Sequence, residues 1–343
     1  MIHALCRKLV LRKKEIEQQV ETIYFGGGTP SLLEDQDLRQ IFRVLYENFD
    51  IAENAEITLE ANPDDLSAPR LKKMADVGIN RLSIGVQSFF EEDLKLMNRA
   101  HNAKEALESV QEAMHYFKNI SIDLIYGIPG MDHHRWHKNL EIALELQVPH
   151  LSAYALTVEN GTALKTLIEK GKISPVEEDL AREHYDILTA VLTAAGYENY
   201  EFSNFGKPGF HSRNNTGYWF GKPYLGIGPS AHSYIRGVRF WNVSHNTHYI
   251  KALEEDTLPL EREELSPESQ YNELIMTRLR TRWGVNPAEV KEKFGSGLHR
   301  HLLKEAAPLL KQHKLIWSEG HLKIAPEARF LGDGIAAALF FVD

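Results

Sequence analysis

The sequence predicts an α/β fold, a barrel or part-barrel of strand–helix units followed by a smaller helical domain of winged-helix type. Three observations carry this reading. Short β-prone runs alternate with amphipathic helical segments over residues 20–195. Nearly every run stops at a glycine or at a polar side chain. Beyond Leu265 the strands give way to three helices and one short hairpin. Strands alternating with helices mean parallel pairing with right-handed crossovers, and five such units in a row suit a barrel or part-barrel better than a three-layer sheet.

Taken in order, residues 1–20 read as a helix, with Ile2, Leu5, Leu9 and Ile16 close to one face and Cys6 on or beside it. Thr22 to Phe25 is a strand running into Gly26-Gly27-Gly28, followed by a helix over 34–47. Ala55 to Leu59 is the next strand, stopping at Glu60-Ala61-Asn62-Pro63, with a helix over 67–77. Arg81 to Val86 stops at Gln87-Ser88, and helical segments follow to Phe117. Ile120 to Tyr126 stops at Gly127-Ile128-Pro129-Gly130, with a helix over 134–146. His150 to Leu156 is one more strand, before a long helix over 179–195.

Residues 198–243 show little periodicity and crowd Tyr197, Tyr200, Phe202, Phe205, Phe210, Tyr218, Trp219, Phe220 and Tyr224 into or beside one Gly- and Asn-rich stretch. Such a stretch serves either as a ligand cover at a barrel mouth or as an irregular closing layer of the core. Further on, Pro267 to Trp283 reads as a helix, Asn286-Pro287 as the cap and first turn of a second, Leu298 to Gln312 as a third, and Leu315 to Ile324 as a hairpin. The expected organisation is therefore a partial βα-barrel over 1–197, a connecting or cover region over 198–264, and a helical domain over 265–343.

Composition narrows the function. A net charge of −9 and a C-terminal region with nearly balanced acids and bases argue against nucleic acid as partner. No apolar run approaches the ~20 residues that span a bilayer. The start, Met1-Ile2-His3-Ala4, lacks a signal-peptide pattern, so a cytoplasmic location is expected. The single cysteine excludes an intrachain disulfide and any metal site built from several cysteines.

The chemistry-bearing residues sit where strands stop, the face that carries function in βα-barrels. Gly26-Gly27-Gly28-Thr29-Pro30 either lets a ligand approach the backbone or makes a tight turn. No Gly-Lys-Ser/Thr follows, which disfavours a phosphate loop. Glu60 offers a carboxylate that can accept two hydrogen bonds from a ribose diol, and Gln87 offers donor and acceptor together. Asp123 lies in the otherwise apolar run Ile122 to Tyr126, where an acid is costly unless it meets a partner or ligand. His133, His134 and His137 invite a metal reading, but no third-ligand pattern accompanies them, and zinc is rejected.

Four segments together resemble the signature of one radical S-adenosylmethionine (SAM) group: Tyr24-Phe25-Gly26-Gly27-Gly28-Thr29-Pro30-Ser31, Leu59-Glu60-Ala61-Asn62-Pro63, Ser83-Ile84-Gly85-Val86-Gln87-Ser88-Phe89 and Asp123-Leu124-Ile125-Tyr126-Gly127-Ile128-Pro129-Gly130. That group contains the oxygen-independent coproporphyrinogen III oxidases and the haem chaperones of the HemW type. Leu225-Gly226-Ile227-Gly228-Pro229-Ser230-Ala231-His232-Ser233-Tyr234 resembles the chaperone branch. The resemblance implies a radical-SAM partial barrel with SAM at its top. Gly27, Gly28 and Thr29 would hold the methionine end through backbone groups, and Glu60 a ribose. Gln87, Arg99 and Asp123 would line the cofactor and substrate site, and Ala155 would give a backbone contact. It also implies haem or a porphyrin as the bound partner, with the haem-acceptor protein unspecified.

Two departures from the family pattern stand out. The family holds a [4Fe–4S] cluster on three cysteines after the first barrel strand, and one cysteine cannot supply three thiolates. Cys6 lies on the helix before Gly26. The expectation is that the first strand and the cluster loop are absent, that Thr22 to Phe25 is left as a sheet edge, and that the chain as given performs no radical chemistry. Secondly, the chaperone segment His-Asn-x-x-Tyr-Trp reads Asn214-Asn215-Thr216-Gly217-Tyr218-Trp219 here. Asparagine is a poor haem ligand, so His211 and His232 become the haem candidates, with His245 and His248 nearby in sequence. The resemblance leaves three functions open: a haem-binding and haem-delivery chaperone, a coproporphyrinogen III oxidase, or a clusterless remnant.

Overall fold

The computed structural model describes residues 1–342. The chain forms two compact units. One comprises residues 1–22, 34–55 and 213–342, the other residues 23–33 and 56–212.

The second unit carries most of a curled seven-stranded sheet, a half-barrel, with the strand order β1-β2-β3-β4-β5-β7-β6. Its strands are β1 (Val20–Phe25), β2 (Ile51–Ala61), β3 (Arg81–Gln87), β4 (Asn119–Tyr126), β5 (His150–Ala155), β6 (Glu198–Glu201) and β7 (Asn204–Gly206); the first residues of β1 and β2 belong to the other unit. β2 to β5 run parallel, while β7 joins β5 antiparallel and pairs with β6 as a hairpin. β1 stands at one edge of the strand order, as the sequence predicts.

Strict alternation sets the two faces of the parallel strands. Ile57, Leu59, Leu82, Ile84, Val86, Ile120, Ile122, Leu124 and Leu151 are buried on the face that helices cover in such a fold. Glu56, Thr58, Glu60, Arg81, Ser83, Ser121, Asp123, His150 and Ser152 share the other, concave face. Register fixes this, with Thr58 opposite Arg81, Glu60 opposite Ser83, Ser121 opposite His150 and Asp123 opposite Ser152. Parallel strands closed in by packing on both sides usually read as apolar runs. A polar inner face marks a half-barrel built around something other than its own core.

In the first unit, α1 (Ile2–Arg12) and α2 (Asp35–Asn48) pack together. The connections within the sheet of the second unit are α3 (Ala68–Asp76), α4 (Glu91–Leu96), α5 (Ala103–Ala113), α6 (His133–Glu145), α7 (Ala163–Glu169) and α8 (Glu178–Ala194). Asn102 caps α5 in a reciprocal capping box with Glu105, and Asp132 caps α6. α7 is short, has no fully buried residue, and is invisible to the periodicity of the sequence.

Residues 198–243 are more ordered than their composition suggests. β6 and β7 extend the sheet, with Tyr200 and Phe205 fully buried. In the first unit, α9 (Arg213–Trp219) precedes the antiparallel sheet β8 (His232–Ile235), β9 (Val238–Asn242) and β10 (Leu260–Glu264), with α10 (Asn246–Glu254) inserted before the last strand. These strands are three to five residues long, too short to show a period. The C-terminal region follows the sequence reading. α11 (Pro267–Leu279) is capped by Ser266, and α12 (Pro287–Lys311) by Asn286. A break at Gly295, φ 80°, divides α12 into the two predicted helices. β11 (Leu315–Ser318) and β12 (His321–Ile324) form the hairpin, before α13 (Gly332–Ala337). These elements close on their own core of Tyr271, Ile275, Val285, Val290, Leu302 and neighbours. Among the described residues no helix is long and apolar enough to cross a membrane.

Candidate functional site

The glycine run after β1 is built on Glu60. Tyr24 OH donates to Glu60 Oε1 at 2.7 Å, and the Gly27 N–H donates to Glu60 Oε2 at 3.1 Å. The carboxylate thus ties the last turn of β1 to the end of β2. A Cβ on Gly26 would lie 2.6 Å from the Tyr24 ring and 2.9 Å from Glu60 Oε1, so only glycine fits under this clamp. Gly27 and Gly28 have φ of 75° and 65°, in the left-handed region that glycine adopts without strain. A Cβ built on either would meet nothing within 4 Å. The backbone here is exposed and uncovered. Thr29 follows, its carbonyl accepting from Leu32 N–H at 3.1 Å as the chain enters a tight turn over Pro30–Leu32. Burial, aided by the Glu60 charge, pushes the Tyr24 hydroxyl well above its ordinary pKa, so it stays a donor.

Gln87 ends β3 with φ 65° after a register irregularity against β4. Left-handed backbone at a non-glycine residue costs about 1 kcal/mol, and here it turns the side chain back over Gly85. A Cβ on Gly85 would stand 2.9 Å from Gln87 Nε2 and 3.3 Å from Arg99 Nη2. Arg99 donates to Asn62 Oδ1 at 3.0 Å and to the Gly85 carbonyl at 3.3 Å. His101, buried beside it, holds the same loop to the Val86 carbonyl at 3.1 Å. The ends of β2 and β3 and the loop after α4 are therefore laced together by polar contacts, and a one-residue shift in any of them would displace the rest.

Asp123 lies midway along β4 on the concave face, accepting from Ser83 Oγ at 3.3 Å. Burial raises its carboxyl to about 7, the Arg81 guanidinium opposing and Glu60 adding to the rise. Deeper on the same face, Ser121 Oγ and His150 Nδ1 are 2.7 Å apart and His150 Nε2 and Tyr200 OH 2.8 Å apart. Burial holds His150 neutral, far below its ordinary pKa. Ala155 closes β5, opposite Tyr126, with its backbone at the rim.

Gly27, Gly28, Thr29, Glu60, Gln87, Arg99, Asp123 and Ala155 thus all belong to one unit. All but Arg99 lie at or near the C-terminal ends of adjacent strands, and Arg99 reaches Asn62 and Gly85 from the loop after α4. Tyr24, Asn62, Ser83, Arg81 and His101 were not singled out from the sequence. A signal for the inner-face members existed: Glu56 to Glu60 and Arg81 to Gln87 alternate strictly between polar or small and apolar residues, the mark of a strand with one wet face.

The histidines fare differently. His211 Nε2 is 3.0 Å from Glu198 Oε2, and its ring stacks on Tyr200 at 4.3 Å. His232, on β8 in the other unit, is exposed beside Trp241. Asn214 accepts from Thr22 Oγ1 at 3.3 Å and also bonds Tyr218. His245 and His248 stack on each other at the surface. Cys6, the single cysteine, is buried in α1, and burial pushes its thiol up, away from thiolate. No group of three or more potential metal-ligating side chains occurs among the described residues. The residues present do not fit an iron–sulfur cluster.

A sheet of this curl, with a glycine loop on the first strand and polar residues at successive strand ends, defines the class. Residues 4–143 match the family model of the radical SAM superfamily, and residues 265–331 match that of the HemN C-terminal domain. Over the whole fold the chain superposes on coproporphyrinogen III oxidase (HemN) from Escherichia coli, a radical SAM enzyme. The TM-score is 0.85 at 23% identity, covering 99% of this chain and 82% of that one. By sequence it is 35% identical over 331 residues to the heme chaperone HemW of Bacillus subtilis, covering 94% of this chain and 86% of that one. It is 36% identical to HemW of Lactococcus lactis, covering 89% and 80%. The chain belongs to the HemW family.

Proposed function

We propose that this protein binds and delivers haem, and that it takes SAM at the rim formed by the ends of β1 to β5. The observation that carries the reading is similarity to HemW proteins along nearly the whole chain, joined to an uncovered glycine backbone beside Glu60, Gln87, Arg99 and Asp123. SAM supplies a sulfonium cation carrying amine, carboxylate and ribose groups. Gly27, Gly28 and Thr29 offer backbone amides and carbonyls to the amino-acid end. Glu60 retains lone pairs for a diol, Gln87 and Arg99 present an amide and a guanidinium, and Ala155 offers its backbone. The [4Fe–4S] group that the radical SAM class implies has no ligand set in this chain, and no radical step follows from it. Oxidative decarboxylation of coproporphyrinogen III has the shared fold and the HemN C-terminal domain match behind it.

Haem is cargo in this reading. His232, exposed, is the better placed axial ligand; His211 would first have to leave Glu198 and Tyr200. Titration of haem into the protein is expected to give a shifted Soret band that His232→Ala weakens and His211→Ala leaves in place. Calorimetric titration of SAM checks the rim. Absence of both signals would overturn the proposal, and protoporphyrinogen formation in an activity assay would favour the oxidase reading instead.

A further inference from the structure

Gln87 sits in a turn that its own side chain disfavours. The Ser88 N–H donates to the Val86 carbonyl at 2.8 Å, closing a three-residue turn with Gln87 at its centre, at φ 65°. With positive φ at the centre this is the rare and strained form of the γ-turn. Glycine would take such backbone freely, but glutamine keeps a side chain there, laid back over Gly85 beside Arg99. Strain of this kind persists only where the surroundings over-determine it, and the contacts on both sides of Gln87 do so. Before it, the Val86 carbonyl also meets His101 Nε2 at 3.1 Å. After it, the buried Ser88 hydroxyl donates to Asp93 Oδ2 at 2.7 Å and accepts from Phe90 N–H at 3.2 Å. Phe89 N–H donates to Asn139 Oδ1 at 2.7 Å. Asp93 on α4 and Asn139 on α6 are themselves buried. Arg135 joins them, its Nη1 donating to Asp93 Oδ1 at 3.0 Å and its carbonyl accepting from Asn139 Nδ2 at 3.3 Å.

We propose that Asp93 and Asn139 are positioning residues: by anchoring Ser88 and Phe89 they hold Gln87 in the strained turn and so keep its amide at the rim. The ligand part rests on the SAM reading above; the part that concerns the turn stands on these bonds alone. Asp93 and Asn139 lie on helices, outside the strands that carry the site, and each spends an oxygen on the segment that follows Gln87. With either anchor removed, that segment is free to move. Gln87 then returns to ordinary negative φ, and its side chain swings off Gly85. Asp93 and Asn139 would act on a ligand only through Gln87.

The test follows the Ser88 amide, whose acceptor on Val86 no substitution removes, by hydrogen exchange in NMR of the ligand-free full chain. Asn139→Ala is expected to speed its exchange about tenfold relative to the amides of β3. Ser88→Ala frees the Asp93 anchor and keeps the backbone amide. It is expected to do the same, and it guards against a folding failure of the first variant. The decisive comparison repeats Asn139→Ala in a Gln87→Gly chain. Glycine takes left-handed backbone without strain, so there the amide should stay protected, with a change of less than about threefold. Unchanged protection in folded Asn139→Ala and Ser88→Ala proteins overturns the proposal. Equal loss with glutamine and with glycine overturns it too, since Asn139 would then be ordinary packing. SAM titration adds the ligand arm. Asn139→Ala is expected to weaken SAM about tenfold while Gln87 is present, and to have no further effect in the Gln87→Gly chain. Equal weakening in both chains overturns the link to the ligand. If no chain binds SAM, the SAM reading fails while the Ser88 amide still decides the turn.

Discussion

Two glycine runs in this chain look alike as sequence and are opposite as structure. Gly26-Gly27-Gly28 stands exposed, and nothing lies within 4 Å of a Cβ built on Gly27 or Gly28. Gly226-Ile227-Gly228 is closed on its own unit. A Cβ on Gly226 would fall 1.9 Å from the His232 carbonyl oxygen. Asn242 Nδ2 donates to the Gly226 and Gly228 carbonyls at 3.3 and 2.6 Å, and Gly228 N–H donates to Tyr249 OH at 2.9 Å. Lys8, fully buried in α1, donates in turn to Asn242 Oδ1. Glycine in the first run leaves backbone available; in the second it lets two backbones touch. Sequence alone marks both runs as special, and only the packing separates a loop open to a ligand from a structural keystone.

Substitutions sharpen the contrast. The largest effect is expected for Gly226→Ala. The obstacle is backbone, which cannot swing aside as a side chain can, so a loss of about 3 kcal/mol in urea unfolding is expected, with SAM affinity of the folded fraction unchanged. Lys8 comes next. Burial, reinforced by the Arg12 charge, lowers its ammonium to about 7, against 10.5 ordinarily. The unfolded chain therefore binds one more proton between those values, and stability should rise with pH across about 7 to 10.5. The slope is at most about 1.4 kcal/mol per pH unit. Lys8→Met should flatten that part of the stability–pH curve; an unaltered slope would show that Lys8 is not the titrating group.

Smaller effects are expected at the open run. Gly28→Ala places a side chain in left-handed backbone at a cost of about 1 kcal/mol, while SAM affinity drops about tenfold because the added methyl enters the uncovered space. Equal affinity in the two proteins would argue that Gly28 meets no ligand. Tyr24→Phe removes one hydrogen bond to Glu60, worth about 1 kcal/mol. It should weaken SAM binding only a few-fold, since Glu60 keeps its bond from Gly27.

Much of the fold was legible before any coordinates. The parallel strands fall where β-prone runs precede Glu60, Gln87 and Gly127, because a strand must stop where its side chains cease to pack. The C-terminal helices were legible from Pro267, Asn286-Pro287 and the apolar spacing over 298–312, whose capping and patterning chemistry is local. The antiparallel strands after residue 198 were not, being held by partners distant in sequence: β7 by β5 and β8 by β9. The family resemblance named most of the candidate site. It assigned no role to Tyr24 or Ser83, which bond Glu60 and Asp123 across strands.

The sequence by itself determined the order of strands and helices, the residues at the strand ends and the lack of a cysteine set for a cluster, since propensity, capping and composition are carried by neighbouring residues. Tertiary structure alone decided that Glu60 braces the glycine loop, that His211 is engaged while His232 is exposed, and that Ser83 is bonded to Asp123. Hydrogen bonds, burial and charge depend on distances through space, and those exist only once the strands have come together.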